Sequence, residues 1–287
     1  MKSLRETIEE AAARGAAIGH FNISELAAFE GIARAVRATG LPAIIGTSEG
    51  EREFIGAAEA AALVQALRAE GLPVYLNADH HHSLEKIKEA VAAGYDAVLF
   101  DGGKLPVEEN ITRTREVVEY VRSVDPNILI EGELGFIGSG SEVRDKAPEG
   151  AALSEGALTT PEEAARFVQE TGVDMLAPAV GNFHGMVTGG THKEINIERV
   201  RAIKAAAQVP LVLHGGSGTA DETFRAAIQA GINIVHVSTE LRAAWRQEVE
   251  ESLKEMPTEV APSKLLAASA EEIEKIVTQR LKLFAGI

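Results

Sequence analysis

Eight short apolar runs constrain the fold of this chain most, each ending in a polar or glycine-rich tip and each followed by helical periodicity. The runs end near positions 22, 48, 79, 101, 133, 181, 214 and 238. Successive ends lie 22 to 33 residues apart, room for one strand–helix unit, and a single gap of 48 carries an added loop. A strand always followed by a helix pairs in parallel with its neighbours, and eight such units close into a (β/α)8 TIM barrel. An open doubly wound sheet is the alternative. It is disfavoured because polar residues cluster at nearly every run's end rather than at one switch point. The 287 residues thus read as a single α/β barrel domain spanning 1–287, with an extra helix at the N-terminus and further helices at the C-terminus.

Local signals set the expected boundaries. Ser24 reads as the N-cap of a helix running to Thr39, and residues 55–70 as one helix stopped by Gly71. Pro161, after Thr160 and before Glu162 and Glu163, marks a helix start. A Gly/Ser-rich loop is expected over 135–156 and a helix from about Ala270 to the end.

Barrels place their chemistry at the C-terminal ends of the strands, so the tips decide function. The segment Leu76-Asn77-Ala78-Asp79-His80-His81-His82 puts an acid and a histidine at the third tip. His184 follows the sixth run and His214 ends the seventh. Three imidazoles converging on one rim, with a fourth position open, describe a catalytic metal site of the zinc type. Because side chains alternate along a strand, His80 is the expected ligand, while His81 and His82 are expected to pack or face solvent. His192 lies in a loop and is not expected to be a primary ligand. Asp79, beside a ligand, suits proton exchange with a substrate hydroxyl. Asp101, Glu131 and Glu133 suit a second cation or hydrogen bonds to the ligand histidines. The glycines after His214 let backbone N–H groups approach a phosphate, and Ser238-Thr239 ends the eighth run beside them.

The chain has no cysteine, which removes disulfides, thiolate ligands and thiol nucleophiles together. Its net charge of −15 argues against nucleic acid and anionic membranes as partners. Residues 1–14 mix charges of both signs and lack an apolar core, so no signal peptide is expected, and the cytoplasm is the expected location.

In order along the chain, Asp79-His80, Asp101-Gly102, Glu131-Gly132-Glu133-Leu134-Gly135, Gly181-Asn182-Phe183-His184-Gly185 and Leu213-His214-Gly215-Gly216-Ser217 resemble the class II, metal-dependent fructose-bisphosphate aldolase family, including its tagatose-bisphosphate branch. The resemblance implies that His80, His184 and His214 hold zinc and that Asp79 is the acid/base at the C4 hydroxyl of a ketose bisphosphate. It implies a second divalent ion at Asp101 and Glu133 in some members, and a monovalent cation near the phosphate. Gly185, Gly215, Gly216, Ser217, Ser238 and Thr239 match phosphate-pocket positions, and Asn22 and Ser48 match substrate-pocket positions. Glu142, on the loop after the fifth strand, is the candidate for proton transfer at C3. His236 departs from the family's usual Asn at a substrate-contacting position. Gly103 departs from a common Ser.

The expected activity is reversible cleavage of fructose 1,6-bisphosphate to dihydroxyacetone phosphate and glyceraldehyde 3-phosphate, by a homodimer or homotetramer. Tagatose bisphosphate or another phosphorylated ketose is the alternative substrate. A non-catalytic barrel subunit is the rival from another class, and retention of Asp79 with all three histidines weighs against it. A metal-dependent hydrolase is disfavoured because Asn22 stands where a His-x-His pair with His20 would need a second histidine.

Overall fold

Val74 to Ala78 are all buried, as are all five residues of Ile18–Asn22 and Ala43–Thr47, because each barrel strand is covered by helices outside and by other strands' side chains inside. The computed structural model describes residues 1–188 and 193–287. Its elements begin with α1 (Leu4–Ala13), β1 (Ile18–Asn22), α2 (Leu26–Thr39), β2 (Ala43–Thr47), α3 (Glu49–Ile55), α4 (Ala57–Ala69), β3 (Val74–His81) and α5 (Leu84–Ala93). There follow β4 (Ala97–Phe100), α6 (Val107–Val124), β5 (Leu129–Leu134), β6 (Val143–Arg144), α7 (Pro161–Thr171), β7 (Met175–Pro178) and β8 (Met186–Val187). The chain ends with α8 (Ile197–Ala207), β9 (Leu211–Leu213), α9 (Asp221–Ala230), β10 (Ile232–Val237), α10 (Thr239–Glu255), α11 (Pro262–Leu265) and α12 (Ala267–Ala285).

Eight of these strands form a closed parallel barrel in the order β1-β10-β9-β7-β5-β4-β3-β2. The other two, β6 and β8, pair in parallel and tie the long loop after β5 to the loop after β7. The barrel interior is layered. Ile18, Ile44, Tyr75, Leu129, Met175, Val212 and Ile234 pack with Leu4, Ile8 and Ala11 of α1, which plugs the N-terminal mouth. Two residues further along the strands the interior turns polar, with His20, Asn77, Glu131, His214 and His236 all buried. Strand register places His20 level with His236. At the C-terminal end α12 lies close against α2, where a Cβ on Gly31 would come within 2.7 Å of the Ala270 carbonyl. Trp245 of α10 packs on the same core.

Several expected boundaries move. The N-cap of α2 is Glu25 rather than Ser24, since its carboxylate accepts from the N–H groups of Ala27 (2.6 Å) and Ala28 (2.7 Å). The single helix expected over 55–70 is two helices, because Gly56 at φ 96° breaks the chain between α3 and α4. β3 runs past position 79 to His81, while β7 stops at Pro178. The terminal helix begins at Ala267, not near 270. Thr160 and Glu163 form the expected capping box in front of Pro161. None of the described helices is long and apolar enough to cross a membrane.

Candidate metal centre and active site

A bulge at the end of β3 shapes the site. Pairing with β4 shifts register between Ala78 and His81, and His80 takes φ 48°, a left-handed conformation uncommon outside glycine. Strict alternation would turn adjacent residues to opposite faces. The bulge instead lets Asp79 and His80 both reach the barrel mouth. Such a conformation costs on the order of 1–3 kcal/mol and persists where its surroundings over-determine it. Here His80 Nδ1 donates to Asp101 Oδ2 at 3.0 Å, and Asp101 Oδ1 accepts from Gly103 N at 3.1 Å.

His80 Nε2 then faces His214 Nδ1 at 3.0 Å, while His214 Nε2 donates to Glu131 Oε1 at 2.7 Å. The outer nitrogen of each ring is hydrogen-bonded to a carboxylate, so the two inner nitrogens face one another. Burial opposes a charge on His80, but Asp79, Asp101 and Glu133 outweigh it and hold that imidazole well above 6.5, a positive charge that a bound cation would replace. His184 completes the group, its ring centre 4.7 Å from that of His80 and 5.9 Å from that of His214. One donor atom each from His80, Glu133, His184 and His214 lies within 4.8 Å of the others. Glu133 is buried with Oε2 unpartnered. Burial, then the charge of Asp101, pushes its carboxyl well above the usual range, a strain that a cation relieves. Three oriented imidazoles with a carboxylate behind them fit a divalent transition metal of borderline softness.

Asp79 stands beside this group, 4 % exposed. Asn22 Nδ2 donates to its Oδ2 at 2.9 Å and to Glu51 Oε2 at 2.9 Å. His236 Nδ1 lies 3.4 Å from the other oxygen, Oδ1. Burial alone would raise the Asp79 carboxyl, but His80 and His236 outweigh burial and hold it well below its ordinary value. Burial, reinforced by neighbouring imidazoles, keeps His184 and His236 neutral, well below 6.5. For Asp101, burial is likewise outweighed by His80, and its carboxyl stays low.

The site opens into a cavity of about 270 Å³. Its wall includes Asn22, Ser48, Asp79, His80, Asp101, His184, Gly185, His214, Gly215, Ser217, His236, Ser238 and Thr239. Ser217 Oγ accepts from the N–H groups of Ser238 (3.2 Å) and Glu240 (3.1 Å), fastening the loop after β9 to the start of α10. Ser238 Oγ is buried without a partner. Gly215 sits at φ 61°, and a Cβ there would lie 2.2 Å from the Phe183 carbonyl. Gly216 lies behind the wall, its N–H donated to the His236 carbonyl at 2.9 Å, so that group is engaged within the protein.

Glu142 stands apart. Its carbonyl accepts from Met186 N at 2.9 Å, while its side chain is 70 % exposed and paired with Arg144. His81 is buried, and burial with the nearby Arg52 pulls it down to about 3. His82 faces solvent. His192 lies outside the described residues.

Sequence reasoning passed over three groups. His20 was considered only as half of an absent pair, yet its ring stacks on His236 at 3.5 Å with an interplanar angle of 2°. The two-residue spacing of His20 and Asn22 on one strand was the available signal. Glu51 braces Asn22 and pairs with Arg242. Lys193 Nζ is buried among the carbonyls of Phe183 (2.7 Å), Gly185 (2.8 Å) and Gly215 (2.5 Å). Burial pulls that ammonium down to about 7, with Glu240 acting against it.

The family model "Fructose-bisphosphate aldolase class-II" matches residues 2–286. The chain is 34% identical over 274 residues to 6-phospho-5-dehydro-2-deoxy-D-gluconate aldolase of Shouchella clausii, covering 94% of this chain and 89% of that protein. It is 32% identical over 288 residues to fructose-bisphosphate aldolase of Geobacillus stearothermophilus, covering 99% and 96%. Among solved structures, the YdjI aldolase of Escherichia coli K12 superposes with a TM-score of 0.82 at 29% identity, covering 98% of this chain and 96% of that one. A putative fructose-1,6-bisphosphate aldolase of Coccidioides immitis gives 0.83 at 28% identity, covering 98% and 95%. With the barrel, its rim of imidazoles and these matches together, the chain belongs to the class II fructose-bisphosphate aldolase family.

Proposed function

We propose that this protein is a zinc-dependent aldolase that cleaves fructose 1,6-bisphosphate to dihydroxyacetone phosphate and glyceraldehyde 3-phosphate, and runs the reverse condensation, in glycolysis and gluconeogenesis. The observation that carries the reading is the placement of Asp79, a buried carboxylate with one unpartnered oxygen, beside three imidazoles aimed at a single point. His80, His184 and His214 would hold the ion, which supplies Lewis acidity toward the ketose carbonyl when bound.

The remaining work falls to the chain. Asp79 takes the proton of the C4 hydroxyl as the C3–C4 bond breaks, and C4 leaves as the aldehyde. C3 then takes a proton to give dihydroxyacetone phosphate. Asn22 holds one Asp79 oxygen by a hydrogen bond, and the other, with His236 Nδ1 3.4 Å away, is left for that exchange. A phosphate group sits at Gly185, Gly215, Ser217, Ser238 and Thr239, where the N-terminus of α10 favours an anion. Gly216 supports that loop from behind. Ser48 also lines the cavity. Asp101 and Glu133 orient His80 and offer oxygens to a second divalent ion. Glu142 serves C3 only if its loop swings inward, since its carboxylate faces solvent. Residues 1–287 act as one domain, in a cytoplasmic homodimer or homotetramer; light scattering on the purified protein tests the assembly.

A second substrate is favoured by a specific observation. The Shouchella relative is named for a phosphorylated deoxy-dehydro-gluconate, and His236 stands in the cavity at a position that touches the catalytic carboxylate. Tagatose 1,6-bisphosphate or another phosphorylated ketose then replaces the fructose ester. The deciding experiment is a cleavage assay with fructose and tagatose bisphosphates side by side, untreated, after chelation, and after zinc add-back. Chelator-sensitive triose release restored by zinc supports the reading, and the faster sugar identifies the substrate. Metal bound without activity on either sugar points to another ketose. Absence of both metal and activity overturns the reading in favour of a non-catalytic barrel subunit.

A further inference from the structure

The ligands His184 and His214 stand next to loop peptides, and those peptides share an unusual partner. The carbonyls of Phe183 and Gly185 flank His184 and that of Gly215 follows His214; all three turn away from the cavity onto Lys193 Nζ. Lys193 is 3 % exposed, and its ammonium lies 4.5 Å from the centre of the Phe183 ring. Three carbonyls around one nitrogen use all three N–H donors of an ammonium, which a neutral amine lacks. That demand opposes the effect of burial on the charge. Three converging carbonyl oxygens over an aromatic face are also what a bare monovalent cation takes in place of water.

The same peptides are held at their other ends. His184 N donates to Ile137 O, Met186 N to Glu142 O and Gly216 N to His236 O, each at 2.9 Å. Releasing the carbonyls would therefore loosen His184, the loop that carries Glu142, and the backbone of His236 together.

We propose that Lys193 supplies, as a tethered ammonium, the monovalent cation that this carbonyl cage would otherwise draw from solution, and so holds His184 in register with His214. Lys193 is thus a positioning residue, and the protein keeps its metal centre without dissolved potassium, sodium or ammonium. The inference rests on His184 and His214 being metal ligands, and its test is read without substrate.

The test compares the zinc-loaded protein with Lys193→Ala in choline, potassium and ammonium chlorides at matched ionic strength. Zinc affinity is measured by competition with a chromogenic chelator, alongside the melting temperature. The wild type should give one affinity and one melting temperature in all three salts. Lys193→Ala should bind zinc roughly 10–100-fold more weakly in choline, the usual effect of losing an outer support. Potassium or ammonium, which fit the vacated cage, should restore most of that loss. A wild type that gains affinity or melting temperature in potassium over choline overturns the proposal, and does so even where Lys193→Ala fails to fold. Wild-type affinity of the variant in choline also overturns it, as does an equal loss in all three salts. Failure of the aldolase reading looks different: zinc binds and responds as described, but no phosphorylated ketose is cleaved.

Discussion

Acid should destabilise this protein through His20. The side chain has no exposed surface, its ring is stacked on His236, and its Nε2 accepts from Asn77 Nδ2 at 3.1 Å. The bond to Asn77 puts the proton on Nδ1, which has no partner. Burial pulls this imidazole from 6.5 down to about 4, against the nearby Asp79 charge. Above pH 6.5 neither the folded nor the unfolded chain protonates it, and the neutral ring costs nothing. Between 6.5 and about 4 the unfolded chain takes up a proton that the folded chain refuses, so stability is lost as pH falls. Linkage makes the loss about 2 kcal/mol at about pH 5 and about 3 kcal/mol in full. The measurement is urea unfolding of chelator-treated protein at about pH 7.5 and about pH 5, for the wild type and His20→Leu. Lost packing in the variant acts equally at both pH values, so the comparison isolates the titration. The variant should lose about 2 kcal/mol less than the wild type between the two conditions. Equal losses, within about 0.5 kcal/mol, would refute the reasoning.

Asp79→Asn should lower kcat by roughly 10²–10⁴-fold while bound metal stays stoichiometric; near-normal turnover removes its acid/base role. Glu131→Gln should weaken metal affinity about 10–100-fold, because a neutral amide oxygen accepts from His214 Nε2 more weakly than the carboxylate and leaves the ring less basic; chelator competition gives the value. Gly46→Ala places a methyl 2.1 Å from His20 Cε1, so unfolding should show a loss of about 1–3 kcal/mol. An unchanged urea midpoint would mean that the histidine layer gives way freely.

Much of this was legible in one dimension. The alternation of buried strand and helix announced the barrel, and Thr160-Pro161 or Gly71 announced their boundaries through local hydrogen bonding and φ alone. His80, His184 and His214 stood out because each lies at or just beyond the end of an apolar run, and in a parallel barrel all strand ends share one rim. Glu142 was the weaker inference: a glycine-rich loop carries no periodicity to aim a side chain, and the pairing of β6 with β8 turns it outward. The helix break at Gly56 was hidden because an isolated glycine in a helical pattern is ordinarily tolerated.

The order of elements and the gathering of polar strand-end residues at one rim were determined by the sequence itself, since they follow from period and spacing over about ten residues at a time. Closure of the barrel decided the rest. It brought His214 against His80 across 134 residues and against Glu131 across 83, which selects the nitrogen that each ring offers. It stacked His20 on His236, bulged β3 so that neighbours point the same way, and drove Lys193 into carbonyls from two loops. These are contacts between segments whose separation along the chain carries no local signal, and they form only when every strand has taken its register.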